Sequence, residues 1–340
     1  MPDIITVDNL VLVYPDGTKA VNNISFNVKN GEFFGFLGPN GAGKSTTIKV
    51  LTTSLKKTSG SVTIAGLDID KDAGEIRSLI GVQSQETVIE PDLTGRENLV
   101  LQGHFHRMRG RPLDDRVDEL LKLLDLSDVS NKKASLYSGG MKKRLDLGSA
   151  LVHKPKLLFL DEPTTGLDPQ SRAAIWEYLE ALNKQEGITI FLTTQYLEEA
   201  DKLCQRLSII DHGELIVSGS PMELKQQVGG DTIEITLANG TRTVEPGLKE
   251  KAEKITASIQ GVTKVVDTNS GLAAYAKNAG NLIPEIVRVF DFNKIAIASV
   301  SFSSPTLDDV FLRHTGKRIR SQELVQKSAY SSRYRGRRNS

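Results

Sequence analysis

Nine residues from Gly38 to Thr46, GPNGAGKST, restrict the folds open to this chain more than any other segment. Gly38, Gly41 and Gly43 permit backbone conformations that turn amide hydrogens toward a common centre. The apolar run FFGFLG precedes the segment, and KSTTIKVLTTSL, with helical spacing, follows it. Strand, glycine loop and helix in this order form the context in which GxxxxGK[ST] binds phosphate, so we predict a phosphate site here. Chance yields the pattern roughly once in a hundred chains of this length.

The residues of this loop differ in what they offer a nucleotide such as ATP. Lys44 is predicted to reach the β- and γ-phosphates, and the Ser45 hydroxyl to coordinate Mg²⁺. The N-terminus of the following helix adds the positive end of its dipole. An ordinary glycine-rich turn is the alternative, which the flanking strand and helix disfavour. The loop residues predicted to contact the nucleotide are Gly38, Pro39, Asn40, Gly41, Ala42, Gly43, Lys44, Ser45 and Thr46.

A second motif, LLFLDEPTTGLD at 157–168, places two adjacent acids at the end of an apolar run. Such a run is typical of a strand buried on both faces, where acids are costly unless they serve a metal or a water. Asp161 is predicted to face Mg²⁺, through water, and Glu162 to be the general base that polarises the attacking water. Capping of the next helix by these acids is the structural alternative, which the glycine loop upstream disfavours.

A third motif, YSGGMKKRLDLGSAL from Tyr137, begins a basic helix upstream of Asp161. With the three motifs in this order, the chain from about Ile4 to Met222 resembles the nucleotide-binding subunit of an ABC transporter. The resemblance implies that residues 137–141 bind the γ-phosphate of ATP held by a second protomer. Two ATP-binding subunits then form a homodimer or a heterodimer, in which the residues acting in trans are Ser138, Gly139 and Gly140.

The same resemblance implies roles for three further positions. Tyr14 lies where an aromatic ring stacks on adenine, although a strand aromatic packed in the core is the alternative. Gln85, in IGVQSQ, matches the glutamine that contacts Mg²⁺ and couples to the transmembrane partner. Gln83 is a competing register, disfavoured because the family's glutamine ends its strand. Asp168, in TGLD, matches the acid that bridges the two protomers.

One position departs from the family pattern. Most ABC ATPases have a histidine after the strand that corresponds to ITIFLTT, and this chain has Gln195 there. A glutamine amide donates a hydrogen bond to phosphate, but it carries neither a proton nor a positive charge. Gln195 is therefore predicted to assist catalysis, with Glu162 as the only evident base.

The variant motifs YSGGM, TTQYLEEAD, DLTGRENL and LDDVFLRHTG resemble the daunorubicin-resistance type of ATP-binding subunit. Members of that type work as exporters with a separate transmembrane permease. The resemblance implies export of a drug-like or lipid-like compound, driven from the cytoplasmic side of the membrane. A soluble ABC protein of translation or DNA repair is a competing function, but the chain has neither a second cassette nor a long coiled-coil insertion. A P-loop kinase leaves SGG and TGLD unexplained.

Alternating strands and helices predict an α/β fold with a largely parallel sheet. The fold class is a P-loop NTPase domain of the ABC type at 1–228, with a helical subdomain at about 86–152. A small α+β accessory domain at 229–316 follows, with the order ββαββαβ and TRTVE as its second strand. The basic tail at 317–340 is predicted to be disordered.

Composition excludes few functions and adds three expectations. The formal net charge of +1 gives no long-range attraction to nucleic acid, so none is expected as a partner. The single cysteine, Cys204, is predicted to be a buried, inert thiol on the helix EEADKLCQRL. His104 and His106 do not form a metal pair, because residues two apart on a helix do not face each other.

Overall fold

The computed structural model describes residues 2–228, 230–237, 246–268, 271–276 and 279–315. These residues form two compact units, which divide after Pro221. The predicted strand TRTVE at 241–245 and the predicted disordered tail at 317–340 lie outside the described residues. The domain limits expected at 228 and 316 stay a prediction.

The first unit contains ten strands and seven helices of the described chain. Its strands are β1 (Asp3–Val13), β2 (Lys19–Lys29), β3 (Phe33–Leu37), β4 (Ser59–Ile64), β5 (Leu67–Asp68), β6 (Ile80–Gln83), β7 (Leu157–Asp161), β8 (Thr189–Thr194), β9 (Arg206–Asp211) and β10 (Glu214–Gly219). Its helices are α1 (Lys44–Leu51), α2 (Ala73–Leu79), α3 (Gly95–Phe105), α4 (Arg111–Leu123), α5 (Gly139–Leu151), α6 (Pro169–Glu186) and α7 (Leu197–Leu203).

A six-stranded sheet in the order β10-β9-β3-β8-β7-β6 forms the centre of this unit. Neighbouring strands from β9 to β6 pair in parallel, and β10 pairs antiparallel with β9. Every residue of β3, β7 and β8 is buried, as expected for strands covered on both faces. Because these strands are parallel, their carboxyl ends lie at the same edge of the sheet.

Aromatic packing fixes the three strands against one another. The Phe191 ring on β8 lies 5.6 Å from Phe34, 5.5 Å from Phe36 and 5.5 Å from Phe159, measured between ring centroids. Tilted rings at this spacing each add about 0.5–1.5 kcal/mol beyond the apolar area they bury. The core therefore holds β3, β7 and β8 in a fixed relation, which also fixes the loops that leave their ends.

Two other layers complete the first unit. An antiparallel sheet in the order β2-β1-β4-β5 shares a hydrophobic core with α1 and with the aromatic residues of the central sheet. Helices α3, α4 and α5 pack together, as the helical pattern of this region predicts. A capping box begins α3, because the Thr94 hydroxyl accepts from the Glu97 amide and the Glu97 carboxylate accepts from the Thr94 amide.

The second unit is a small antiparallel sheet covered by helices. Its elements are α8 (Pro221–Val228), β11 (Asp231–Leu237), α9 (Pro246–Ala257), β12 (Val262–Thr268), β13 (Gly271–Ala276), α10 (Ala279–Phe292), β14 (Ile297–Ser303) and α11 (Leu307–Thr315). The sheet order is β12-β13-β11-β14, so β11 to β14 with α9 and α10 form a split βαβ arrangement. Its core includes Ile233, Ile235 and Phe290.

One predicted element boundary is wrong. The helix EEADKLCQRL was expected to continue to Leu207, but α7 ends at Leu203, and Cys204 is extended, with φ −85° and ψ 130°. The helix ends there because the following residues form β9, in which Arg206 and Leu207 pair with Phe34 and Gly35 of β3. Cys204 is buried, as predicted, and burial raises its thiol pKa well above the ordinary value, which disfavours the reactive thiolate.

None of the helices in the described ranges is long and apolar enough to cross a membrane. Among the residues that the structure describes, no three ligating side chains of His, Cys, Asp or Glu lie close enough to hold a metal ion. His106 stacks on His153 with 3.6 Å between ring centroids.

Candidate active site at the ends of three parallel strands

The glycine loop leaves β3 and enters α1 at Lys44. A Cβ atom at Gly38 would lie 2.2 Å from the carbonyl oxygen of Ile210. At Gly43, where φ is +105°, a Cβ atom would lie 2.4 Å from the carbonyl oxygen of Ala20. Only glycine fits these two positions. The first-turn amides of α1 have no acceptor within the helix, so the loop and helix together suit an anion such as phosphate.

Lys44 is a buried cation, 4% exposed, surrounded by oxygen atoms. Its Nζ donates to the carbonyl oxygens of Gly38 at 2.8 Å and Pro39 at 3.1 Å, and it lies 3.2 Å from Glu162 Oε1. A buried ammonium group is costly unless it is paired. Lys44 is therefore held at the loop with its charge directed toward the end of β7.

Asp161 ends β7 and meets the hydroxyl of Ser45. Its Oδ1 accepts from Thr193 Oγ1 at 2.5 Å and from Ser45 Oγ at 3.2 Å. Hydroxyl and carboxylate oxygens are the ligands that Mg²⁺ prefers. The donor set at this point therefore fits a magnesium ion with a bound nucleotide.

Glu162 has an uncommon backbone conformation, with φ +51°. A non-glycine residue in this region costs on the order of 1–3 kcal/mol and persists only where its surroundings hold it. The Glu162 amide donates to the carbonyl oxygen of Thr193 at 3.1 Å. Its Oε2 accepts from Gln85 Nε2 and from Thr165 Oγ1, each at 3.4 Å. Both carboxylate oxygens thus have fixed directions, as a general base requires.

The two glutamines after β6 have different partners. The strand ends at Gln83, so the reason given from sequence for preferring Gln85 is wrong. Gln83 is buried and donates to Asp146 Oδ2 at 3.3 Å. Gln85 lies beyond the strand and reaches Glu162. The structure therefore brings Gln85, and not Gln83, to Glu162.

Tyr14 lies beside the glycine loop. Its hydroxyl is 3.1 Å from Thr46 Oγ1, and its ring packs on the hydrophobic core. The ring packs on the core, as one interpretation of the sequence expects, and it also lies beside the glycine loop. Stacking of the ring on adenine stays a prediction.

The third motif lies apart from Lys44 and the acids. Ser138 is the N-cap of α5 and accepts from the Met141 amide at 3.2 Å. A Cβ atom at Gly140 would lie 2.8 Å from Ser171 Oγ. Within the part of the chain that the structure describes, no hydrogen bond or ion pair joins 138–140 to Lys44, Ser45 or the acids. This surface is free to act on another molecule.

Asp168 is an exposed N-cap of α6. Its carboxylate accepts from the Ser171 amide at 2.9 Å and from the Ser171 hydroxyl at 2.7 Å. These hydrogen bonds lower the pKa of Asp168 below its ordinary value. Ser171 therefore contacts both Gly140 and Asp168, which places the two predicted dimer contacts side by side.

Gln195 follows β8 and is buried. The preceding residue, Thr194, pairs with Leu37 at the start of the glycine loop, and Thr193 pairs with Asp161. Gln195 thus leaves the same sheet edge as the loop and the acids. Its catalytic role stays a prediction.

Two residues behind the site were missed in the sequence. Thr193 contacts Asp161 and Glu162 through its hydroxyl. Glu199 is fully buried and accepts from Thr164 Oγ1 at 2.9 Å and Trp176 Nε1 at 2.8 Å, and burial raises its pKa. The tryptophan is the only one in the chain, but EEADKL gives no local signal that separates Glu199 from Glu198.

A glycine loop after a central strand, with a hydroxyl and two acids at the neighbouring strand ends, defines a P-loop nucleotide-hydrolysing domain. Residues 21–165 match the ABC transporter family. Residues 219–315 match the C-terminal domain of ATP-binding proteins like DrrA1-3.

Curated relatives match the chain over most of its length. The daunorubicin resistance ATP-binding protein DrrA2 of Streptomyces coeruleorubidus is 40% identical, over 91% of this chain and 94% of its own. The daunorubicin/doxorubicin resistance ATP-binding protein DrrA of Streptomyces peucetius is 37% identical, over 92% of each chain. The linearmycin resistance ATP-binding protein LnrL of Bacillus subtilis is 36% identical, over 92% of this chain and 98% of its own.

Solved structures match about two thirds of the chain. The ABC transporter component cbiO1 from Clostridium perfringens superposes with a TM-score of 0.62 and 31% identity, over 67% of this chain and 92% of that one. A post-hydrolysis dimer of the ATP-binding cassette MJ0796, bound to ADP and Pi, gives 0.59 and 29%, over 64% of this chain and 98% of that one. The chain therefore belongs to the ABC transporter ATP-binding proteins, in the drug-resistance group that includes DrrA. It binds and hydrolyses ATP, and the predictions of family, fold class and activity are confirmed.

Proposed function

We propose that this chain powers the export of a drug-like or lipid-like compound through a separate membrane permease, at the cytoplasmic face of the membrane. The observation that supports the proposal is a P-loop site in a chain that matches drug-resistance relatives over more than nine-tenths of its length. Residues 219–315 also match the C-terminal domain of ATP-binding proteins like DrrA1-3.

ATP is held by side chains from several elements in this proposal. Lys44 and the loop amides bind the phosphates, and Tyr14 stacks on adenine. Ser45, Asp161 and Gln85 would hold Mg²⁺, which neutralises charge on the phosphate oxygens. Binding of phosphate to Lys44 replaces its ion pair with Glu162 and frees that carboxylate.

Hydrolysis then depends on Glu162. Its carboxylate takes a proton from water as the water oxygen attacks the γ-phosphorus and the bond to the ADP oxygen breaks. Gln195 donates a hydrogen bond to the γ-phosphate and takes no proton.

The site is completed by a second ATP-binding subunit, identical or related. In this proposal Ser138, Gly139 and Gly140 of one protomer contact the γ-phosphate bound to the other, and Asp168 bridges the two. Ser138, Gly139 and Asp168 are exposed, and Gly140 and Asp168 share Ser171 as a neighbour, which supports this arrangement. ATP binding closes the dimer and hydrolysis reopens it, which moves the permease between its two orientations.

An ABC ATPase that works without a permease is the alternative function. The drug-resistance names of the relatives disfavour it. The two functions differ in whether a membrane protein is bound and stimulates hydrolysis.

Co-expression with a membrane protein encoded beside its gene tests the proposal. We expect the two to co-purify, and inside-out vesicles that contain both to accumulate daunorubicin or linearmycin when ATP is added. Vesicles with Glu162→Gln serve as the control and accumulate neither compound. ATP hydrolysis by a chain that binds no membrane protein would favour the alternative.

A further inference from the structure

Asp146 is a buried carboxylate two turns into α5, 3% exposed, with three hydrogen-bond donors. Its Oδ1 accepts from the Val88 amide at 3.2 Å and from Thr87 Oγ1 at 3.3 Å. Its Oδ2 accepts from Gln83 Nε2 at 3.3 Å. A carboxylate removed from water is costly unless donors replace the water, so these contacts fix where Asp146 and its donors lie.

The three donors stand on both sides of one short loop. Gln83 is the last residue of β6, and the loop at 84–86 follows it before Thr87 and Val88. Gln85, inside the loop, reaches Glu162. A single carboxylate thus holds both ends of the loop whose middle contacts the predicted general base.

The helix that carries Asp146 begins at the third motif. Ser138 caps α5, and Asp146 lies eight positions further along the chain, a distance of about 12 Å on the helix. Gln83 Nε2 also donates to the carbonyl oxygen of Lys143 on α5 at 3.3 Å. Since a helix of this length moves as one body, a displacement of Ser138 reaches the loop of Gln85 through Asp146.

We propose that Asp146 is a positioning residue that couples the two ATP sites of the dimer. Asp146 links the loop at 84–86, whose Gln85 contacts Glu162 in the chain's own ATP site, to α5. The N-terminus of α5 carries residues 138–140, which complete the ATP site of the partner. The inference rests on the proposed roles of Gln85 and of residues 138–140. When ATP at the partner's site binds residues 138–140, Asp146 thereby changes the position of Glu162 in the chain's own ATP site.

The coupling is tested in the full chain bound to its permease by measuring hydrolysis against ATP concentration. Wild type is expected to show a Hill coefficient above 1.5. Asp146→Ala is expected to lower kcat about tenfold, the effect of losing about 1.4 kcal/mol of positioning, and to lower the Hill coefficient to about 1. The affinity for a fluorescent ATP analogue stays within about twofold, because Lys44 and the glycine loop are unchanged.

Three comparisons separate coupling from a loss of helix stability. Asp146→Asn keeps an acceptor for Val88 and Thr87 and is expected to recover much of the lost rate. Ser149→Ala removes a buried hydroxyl that donates to the Leu145 carbonyl oxygen on the same helix, and it leaves the Hill coefficient unchanged. Thr87→Val removes one donor and is expected to lower the Hill coefficient by a smaller amount.

A double-mutant cycle gives the sharpest result. If Asp146 acts through the loop of Gln85, the double variant Gln85→Ala/Asp146→Ala hydrolyses ATP as slowly as Gln85→Ala alone. Rate losses that multiply, or a wild-type Hill coefficient in Asp146→Ala, would overturn the inference.

If Asp146→Ala does not fold, an unchanged Hill coefficient in Thr87→Val overturns it instead. A wild-type protein without cooperative hydrolysis would refute the proposed dimeric site itself, which is a separate failure.

Discussion

The two units of this chain bury different kinds of side chain. Among the described residues of the first unit, seven acidic or basic side chains are buried: Glu32, Lys44, Arg116, Asp146, Asp161, Glu162 and Glu199. Among the described residues of the second unit, 222–315, the only buried polar side chain is Thr256. Buried ionisable groups are costly, so they persist where they bind, position or react. The comparison indicates that the chemistry resides in the first unit, and that the second unit is organised by apolar packing.

The largest expected effect on stability lies in the second unit. Phe290 is fully buried in its core, and Phe290→Ala should lower the free energy of unfolding by about 4 kcal/mol through lost burial and a cavity. The basal rate of ATP hydrolysis per folded molecule should stay within about twofold. Chemical denaturation and an ATPase assay measure the two quantities. A large loss of rate at full folding would show that the second unit contributes to the chemistry and would break the comparison.

Substitution of Glu199 should change stability less than Phe290→Ala does, but it should also lower the rate of ATP hydrolysis. Glu199→Leu leaves Thr164 Oγ1 and Trp176 Nε1 without their acceptor, which should cost about 2 kcal/mol of stability. It should also lower kcat about tenfold, because Thr164 precedes Thr165, whose hydroxyl donates to Glu162 Oε2, and a shift of this segment would displace the carboxylate.

The matched control for Glu199 lies in the second unit. Thr256→Val removes a fully buried hydroxyl that donates to the Ala252 carbonyl oxygen at 2.7 Å. It should cost about 1 kcal/mol of stability and leave kcat unchanged. Equal rate effects from the two substitutions would contradict a special role for buried polar groups near the strand ends.

His153 should make the stability of the first unit sensitive to acid. Burial first, and then the charges of His106 and Arg116, lower its pKa from 6.5 to about 4. The unfolded chain therefore binds a proton that the folded chain does not, so stability is fully present above pH 6.5 and is lost as the pH falls toward 4. Because the ring is only partly buried, we expect a loss of about 1–2 kcal/mol.

Denaturation at pH 7.5 and at pH 5 measures this sensitivity. His153→Gln keeps a donor for the Ile80 carbonyl oxygen and should reduce the loss of stability at the lower pH. His212→Asn, at an exposed turn, is the control and should leave the pH dependence as in wild type. The same pH dependence in all three proteins would assign the acid sensitivity to other groups.

The parts of the site that sequence predicts are those that depend on local geometry. The glycine loop requires residues without a Cβ atom at Gly38 and Gly43, so the spacing of glycines in the sequence is enough to predict the loop. The acids at 161–162 follow an apolar run that is typical of a buried strand, so their place at the sheet edge could be predicted. Parallel pairing of β3, β7 and β8 then brings the loop and the acids together.

The parts that sequence did not predict depend on contacts between distant segments. Asp146 and Glu199 lie in helices whose patterns equally suit solvent-exposed acids, and only the packing of β6 and α6 on them decides that they are buried. Cys204 ends α7 early because β3 pairs with the next residues. Gln83 and Gln85 share one sequence context and were separated by partners 60 or more residues away.

The central claim is that ATP is hydrolysed at the edge of β3, β7 and β8, with Glu162 as the base. Glu162→Gln, measured for both nucleotide binding and single-turnover hydrolysis, tests it most directly. Glu198→Gln, at an exposed glutamate of α7, is the control. We predict ATP affinity within about threefold of wild type and hydrolysis slowed about a thousandfold, while Glu198→Gln hydrolyses ATP at the wild-type rate. Undiminished hydrolysis by Glu162→Gln would contradict the assignment of the base.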